Sequence, residues 1–485
     1  MPRSTLLFRR LRAATVVLTG IACGFLSLRA QSTFDVKTFG ATGDGTTDDT
    51  DAIARASSAA AQRGGTLVFS TGTYIFDPGR AKVLVGSNMK ITGPGTLKVK
   101  PDAGNYEYVI GAANPATPLQ NVTLDGLHVD QNVEQNSSST IVVRAAATTG
   151  QFVFFTYNIR GLRVRNCTFD ASGINTVVAN GAKVDNVVFE NNTVTFHQRQ
   201  GQPNFDNSAF YFSGIRGQVT GNRCQAPPAV AAVGCIEVHH GSSKVENNTM
   251  DNYLTGIYVV DVDSAQITNN TGTNIDNGIF IEASRGHECR NIEITGNKFS
   301  INNVDRHSDE TAGIAANYEN YLTGTIDGLT IRDNEITFQP ETQPRRVKYP
   351  GSNWGISTQF VGPVHNVKII GNRIANASVR AIKIGENSPG AEQSDIVIEN
   401  NTITDAGYNS DGSVAPLRAA VAAEGDLRNV AIRGNTITQS SAPGGVYSIW
   451  FGDHGSYSNV QYSESQVSGK SMRKQVPRDV AHSEQ

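Results

Sequence analysis

Helical periodicity is scarce in this chain of 485 residues, and its absence from the long middle section excludes an all-helical fold. Blocks of like charge are also missing. No C-x-x-C pair and no clustered Cys/His spacing occurs, so the sequence offers no zinc motif. The one apolar run of note, Ala13 to Leu28, is too short and wrongly flanked for a stable membrane span. It follows Arg3, Arg9, Arg10 and Arg12 and leads to Ala30-Gln31, the pattern of a secretory signal spanning residues 1–30. Removing that segment takes away five arginines and no acid, which leaves 36 basic against 44 acidic residues. An acidic mature chain argues against nucleic acid or an anionic membrane as partner. Cys167, Cys224, Cys235 and Cys289 remain for an oxidising, secreted or periplasmic location, and Cys224 and Cys235 are placed to bridge one inter-strand loop.

What is present is a repeated phrase, an alternating apolar run ending in asparagine. Examples are VRNCTF, FENNTV, VTGNRC, ITGNKF, IRDNEI and IRGNTI. Its asparagines, taken as Asn166, Asn191, Asn222, Asn247, Asn269, Asn297, Asn334, Asn372, Asn400 and Asn435, stand 22 to 38 residues apart. Short alternating strands at such a spacing predict a solenoid of about ten or more rungs, each burying its core only by stacking on its neighbours. Identical amides at one turn predict a ladder between rungs about 4.8 Å apart. Several fall in N-x-[ST] patterns such as Asn247-Asn248-Thr249, where burial in a ladder would argue against glycosylation.

A second phrase in each rung is a small residue followed by apolar alternation, as in GCIEVHHG, GIYVVDVD and GIFIEASR. Aligning Ile236, Ile257, Ile279, Ile314, Ile356 and Ile382 sets three outward columns side by side. Glu237, Tyr258 and Lys383 share the first, His239 and Glu282 the second, and His240 and Asp261 lie at the strand ends. A plain solvated face would scatter its polar residues. This one concentrates Glu237, His239, His240, Asp261, Asp263, Glu282, Arg285, His287 and Glu288 in three rungs. Glu237, His239, Asp261, Glu282 and Arg285 are the catalytic candidates. Two carboxylates such as Asp261 and Glu282 could cooperate in glycoside hydrolysis, or, with Asp263, share a calcium ion. A base beside a cation would instead serve β-elimination. The long insertions before Gly313 and Gly355 bring Arg345 and Arg346, suited to an anionic polymer. Tyr258, His240, Tyr318, Trp354 and Lys383 complete the expected substrate contacts.

Residues 34–76, FDVKTFGATGDGTTDDTDAIARASSAAAQRGGTLVFSTGTYIF, read as a strand, a Gly/Asp turn, a helix near 49–62 and further strands. The pattern FGATGDGTTDDTDAI followed by GGTLVF and GTYIF resembles the opening segment of the pectate-lyase-like superfamily. That resemblance implies an all-β, single-stranded right-handed parallel β-helix with a short N-terminal capping helix. The chain then divides into a cap with opening strands (31–80), the helix proper (81–455) and, where the rung pattern gives way to polar sequence, a terminal cover with a disordered tail (456–485). The resemblance also implies a polysaccharide partner with uronic acid, and a lyase or glycoside hydrolase activity. A non-catalytic carbohydrate-binding or adhesion β-helix is the competing class. Polygalacturonases similar to this fold carry N-T-D, D-D, G-H-G and R-I-K in successive rungs. Here His239-His240-Gly241 and Ala381-Ile382-Lys383 are present, but the only aspartate pair is Asp48-Asp49, in the cap. Asp44, Asp48 and Asp49 are therefore expected to shape turns, and the polygalacturonase aspartates are not carried over.

Overall fold

The structure, a computed structural model, describes residues 32–104, 106–113, 117–132, 135–136, 152–171, 176–196, 208–227, 232–302, 311–316, 323–339, 353–359, 362–386, 391–407, 418–440, 446–453, 455–463, 466–469 and 472–482. The expected signal segment and Tyr318, Arg345 and Arg346 lie outside them.

Strands feed three parallel sheets in strict rotation, of 16, 15 and 14 strands, and every strand pairs with its counterpart one rung away. This is a parallel β-helix. Its core is a continuous column of inward residues such as Ile236, Ile257, Ile279, Ile314, Ile356 and Ile382. These stand in direct register and are fully buried, as their alternation predicts.

Helix Thr50–Arg63 interrupts the rotation near the N-terminus, where the next strands are Thr66–Val68, Thr73–Phe76 and Val83–Val85. It packs on Val83–Val85, the edge strand of the third sheet, and buries Ala52, Ile53, Ala56 and Ala60. The otherwise open end of the core and the sheet edge are closed by one element. Gly64 ends the helix in the left-handed conformation at φ 62°. The cap aspartates serve the backbone. Asp49 accepts from the Thr42 and Gly43 N–H groups at 2.6 and 3.0 Å, and Asp48 from Thr50 N–H at 3.0 Å. The N–H groups of Thr47 and Thr46 hold the Asp44 carboxyl well below the usual carboxylate range.

The asparagine ladder is real, but four of its members differ from the expected set. The buried amides are Asn192, Asn222, Asn248, Asn270, Asn297, Asn334, Asn372, Asn401 and Asn435. Each from Asn192 to Asn401 donates its backbone N–H to the Oδ1 of the next, at 2.9–3.0 Å. Cys167 occupies the ladder position of its rung and donates its N–H to Asn192. The residue before each rung position (Asn166, Asn191, Gly221, Asn247, Asn269, Gly296, Asp333, Gly371, Asn400, Gly434) has positive φ, which Gly, Asn and Asp tolerate. Where two asparagines adjoin, the first makes the turn and the second enters the ladder. Asn166, Asn191, Asn247, Asn269 and Asn400 are therefore exposed turn residues. The burial argument against glycosylation fails at Asn247, because the buried member of that triplet is Asn248.

Cys224 and Cys235 form the expected disulfide, with Cα atoms 6.0 Å apart, across the connection from the second sheet to the third. Closing a loop of this size is worth about 2–3 kcal/mol in the chain-entropy view. Reduction of the native protein is expected to lower its denaturant midpoint accordingly, and a Cys167→Ser variant should show the same drop on reduction.

The C-terminal segment corrects one expectation. Residues from 456 onward add strands Tyr457–Tyr462, Gln466–Gly469, Arg473–Gln475 and Ala481–His482 to the three sheets instead of forming a disordered tail. Tyr457, Val460 and Val480 supply the buried side chains of this further rung, and parallel pairing satisfies its backbone despite a polar composition.

Candidate active site

Outward residues of the third sheet fall in the expected columns. Tyr211, Glu237, Tyr258, Phe280, Ala315, Ser357 and Lys383 are successive partners in one, and Ser213, His239, Val260 and Glu282 in the other. Within this frame the tightest pair is His239 Nε2 to Glu237 Oε1, at 2.5 Å. Ser208 Oγ donates to the other carboxylate oxygen at 2.7 Å. The Tyr211 ring lies 5.0 Å from the imidazole. Glu237 is 8% exposed and His239 19% exposed, so a sheltered carboxylate holds an imidazole that reaches the surface. Ser208 and Tyr211 escaped the sequence reading because their strand, SAFYFS, lacks the Gly-Ile opening by which the other rungs were aligned. The alternation of Phe210 and Phe212 with Tyr211 was the available signal.

Asp261 does not join this pair. It sits in the turn beyond its strand at φ 52°, where its Oδ1 accepts from Ser284 N–H at 2.7 Å and its Oδ2 faces His287 Nδ1 at 3.9 Å. Glu282 points outward from the strand and is half-buried, whereas Asp263 and Arg285 are exposed on the turns. Among the described residues, Asp261 is the one member of the expected calcium set that lies within a cluster of possible ligands, and its companions there are His240 and His287. Tyr258 is half-buried and packs 6.1 Å from Phe280, centroid to centroid.

Trp354 and Lys383 correct the expectation of open substrate contacts. Trp354 is 4% exposed and packs with Ala312, Ala315 and Phe280 on the outer side of the sheet. Lys383 is 4% exposed. Its Nζ lies 3.1 Å from Glu424, 3.3 Å from Glu386 and 2.6 Å from Gln359 Oε1. Arg380 joins Glu424 at 3.0 Å. Burial pushes the Lys383 ammonium below its ordinary value of 10.5 against the attraction of Glu424 and Glu386. The unfolded chain then binds more protons than the native one between that lowered value and 10.5, so Lys383 adds stability as pH rises through the window. Denaturation of wild type and Lys383→Met across pH 7 to 10.5 should show the difference shifting in favour of wild type with rising pH.

A groove of about 610 Å³ lies elsewhere, on the outer face of the 16-stranded sheet, with Arg216, Gln218, Lys244, Gln266 and Glu293 along it. It shares no residue with the Glu237–His239 pair.

With this geometry in view, the fold defines the class. Residues 234–467 match the model of the right-handed β-helix region. Residues 33–301, more than half of the chain, match that of rhamnogalacturonase A/epimerase, pectate lyase-like proteins, and the chain belongs to that family. A search of curated proteins finds no match. Among solved structures, the tailspike protein of E. coli bacteriophage HK620 aligns with a TM-score of 0.68 at 14% identity, over 93% of this chain and 78% of the tailspike. PfbA, a surface adhesin of Streptococcus pneumoniae, aligns at 0.50 and 15%, over 91% of this chain and 93% of the adhesin. Gene product 12 of bacteriophage phi29 aligns at 0.55 and 14%, over 88% and 55%. At these identities the likeness is one of fold. Among the described residues, no helix is long and apolar enough to cross a membrane.

Proposed function

We propose that the protein is a secreted polysaccharide lyase that cleaves a uronic-acid-containing polymer laid along the outer face of the third sheet. The observation that carries this reading is the 2.5 Å His239–Glu237 contact, an imidazole oriented by a sheltered carboxylate at the surface of that sheet. Such a base can take the proton beside a uronate carboxylate. The electron pair left behind forms the carbon–carbon double bond, the adjacent C–O bond breaks, and the departing oxygen takes a proton. Arg285, exposed on the turn after the strand two rungs from His239, supplies positive charge for the uronate, and Tyr258, one rung from Glu237, offers a hydroxyl and a ring face. A hydrolase would need two cooperating carboxylates, and the engagement of Asp261 with the Ser284 N–H weakens its claim. The family match and the HK620 tailspike, which was seen in complex with a pentasaccharide, support a carbohydrate ligand. The disulfide supports an oxidising compartment.

The test is a screen of the mature protein against uronan and neutral polysaccharides, following unsaturated-uronate absorbance together with new reducing ends. Both signals on a uronan are expected. Reducing ends alone would transfer the reaction to Asp261 and Glu282, and retained binding with neither signal would favour the adhesin-like alternative.

A further inference from the structure

We infer that His240, Asp261 and His287 form a binding site for a late first-row transition metal ion of the Zn²⁺ class. One ligand atom from each lies within 4.8 Å of the other two. The His240 and His287 rings stand 5.9 Å apart, and His287 Nδ1 lies 3.9 Å from Asp261 Oδ2. That last separation is too long for a hydrogen bond. Ligand atoms about 2.0–2.1 Å from a tetrahedral ion sit roughly 3.3 Å from one another, so a small movement of the exposed imidazoles completes the set.

The backbone points the same way. Every other non-glycine residue with positive φ among the described residues is Asn or Asp, and His240, at φ 59°, is the one histidine. Asp261, at the matching turn one rung on, has the same conformation at φ 52°, and histidine is among the side chains that tolerate it, so the turn sets both ligands in equivalent positions. Backbone bonds from His240 N–H to Val260 O and from Asp261 N–H to Glu282 O, both 3.0 Å, stack the two turns one above the other. Ser284 N–H fixes one oxygen of Asp261 and so aims the other, the part an outer partner plays for a metal carboxylate.

Two imidazoles with one carboxylate suit zinc and its neighbours, while calcium takes six to eight oxygens. Three protein ligands leave a coordination position for water or an anionic oxygen. The His240 ring lies 6.1 Å from that of His239, so the ion would stand beside the proposed catalytic pair. Metal binding does not depend on the lyase reading and is tested without activity.

The experiment is calorimetric titration of the mature, chelator-treated protein with Zn²⁺ and separately with Ca²⁺, alongside visible spectra of the Co²⁺-loaded form. Saturable Zn²⁺ binding at one ion per chain is expected, with little response to Ca²⁺ and the intense Co²⁺ bands of a low-coordinate site. His240→Asn keeps a residue that tolerates the turn conformation, and His287→Gln changes an exposed side chain, so both variants should fold. Each is expected to weaken Zn²⁺ at least about tenfold. Wild type without saturable Zn²⁺ binding, equal binding in both variants, or a preference for Ca²⁺ would overturn the inference.

Discussion

A His239→Asn variant is expected to lose about 10²–10⁴-fold in polysaccharide cleavage with its fold intact, the loss typical when a positioned acid–base group is removed. The side chain stands on the outer side of the sheet, so the inward column of Val238 and its neighbours is untouched. Glu237→Gln separates orientation from charge. Glutamine can still meet Ser208 and His239, but it presents the imidazole with a neutral partner where a carboxylate stood. A smaller loss is expected there, in turnover more than in apparent affinity. Circular dichroism and the denaturant midpoint check the fold of both. Wild-type turnover in His239→Asn would remove the residue from the mechanism.

The second large effect is on stability. Asn334→Ala is expected to cost about 2–6 kcal/mol. The change removes the Oδ1 that accepts from both the backbone N–H and the Nδ2 of Asn297, at 2.9 and 3.0 Å. The Asn297 N–H is left without a partner, at about 1–3 kcal/mol, while its Nδ2 is left with Ile267 O at 2.9 Å and a longer bond to Thr295 O at 3.3 Å. Asn334 also donates through Nδ2 to Ile294 O, Arg332 O and the Asn372 amide, so acceptors on its own and both neighbouring rungs are affected. Asn400→Ala, at an exposed turn position one residue before the ladder, should cost far less, chiefly through its positive φ. Comparing the two by urea denaturation tests the assignment of turn and ladder roles. Equal costs would refute it.

Much of the fold was legible because a solenoid writes the same local rule many times. Ile236 through Ile382 could be aligned by eye, and the alignment is the observed register. Helix Thr50–Arg63 announced itself through its alanines and the glycine stop. The ladder was misread by one residue at Asn191, Asn247, Asn269 and Asn400, since a doubled asparagine does not say which member turns the chain. The candidate site was legible as a set of columns, which brought Glu237 and His239 to one surface. What could not be read was how turns between rungs direct their side chains. Asp261 meets His287 across a turn, and Trp354 and Lys383 are buried on a face where alternation alone predicts exposure.

That outer strip has a spectroscopic consequence. The chain's two tryptophans, Trp354 and Trp450, both lie on it, beneath the Lys383 ammonium at 6.0 Å and the Arg380 guanidinium at 5.4 Å. Intrinsic indole emission therefore views one stripe of the molecule, from the strand Asn353–Ser357 to the strand Tyr447–Phe451, and is blind to the N-terminal rungs. An unfolding curve followed by emission describes that stripe, while far-ultraviolet dichroism averages the entire solenoid. Any gap between the two transitions would measure how independently the C-terminal rungs melt.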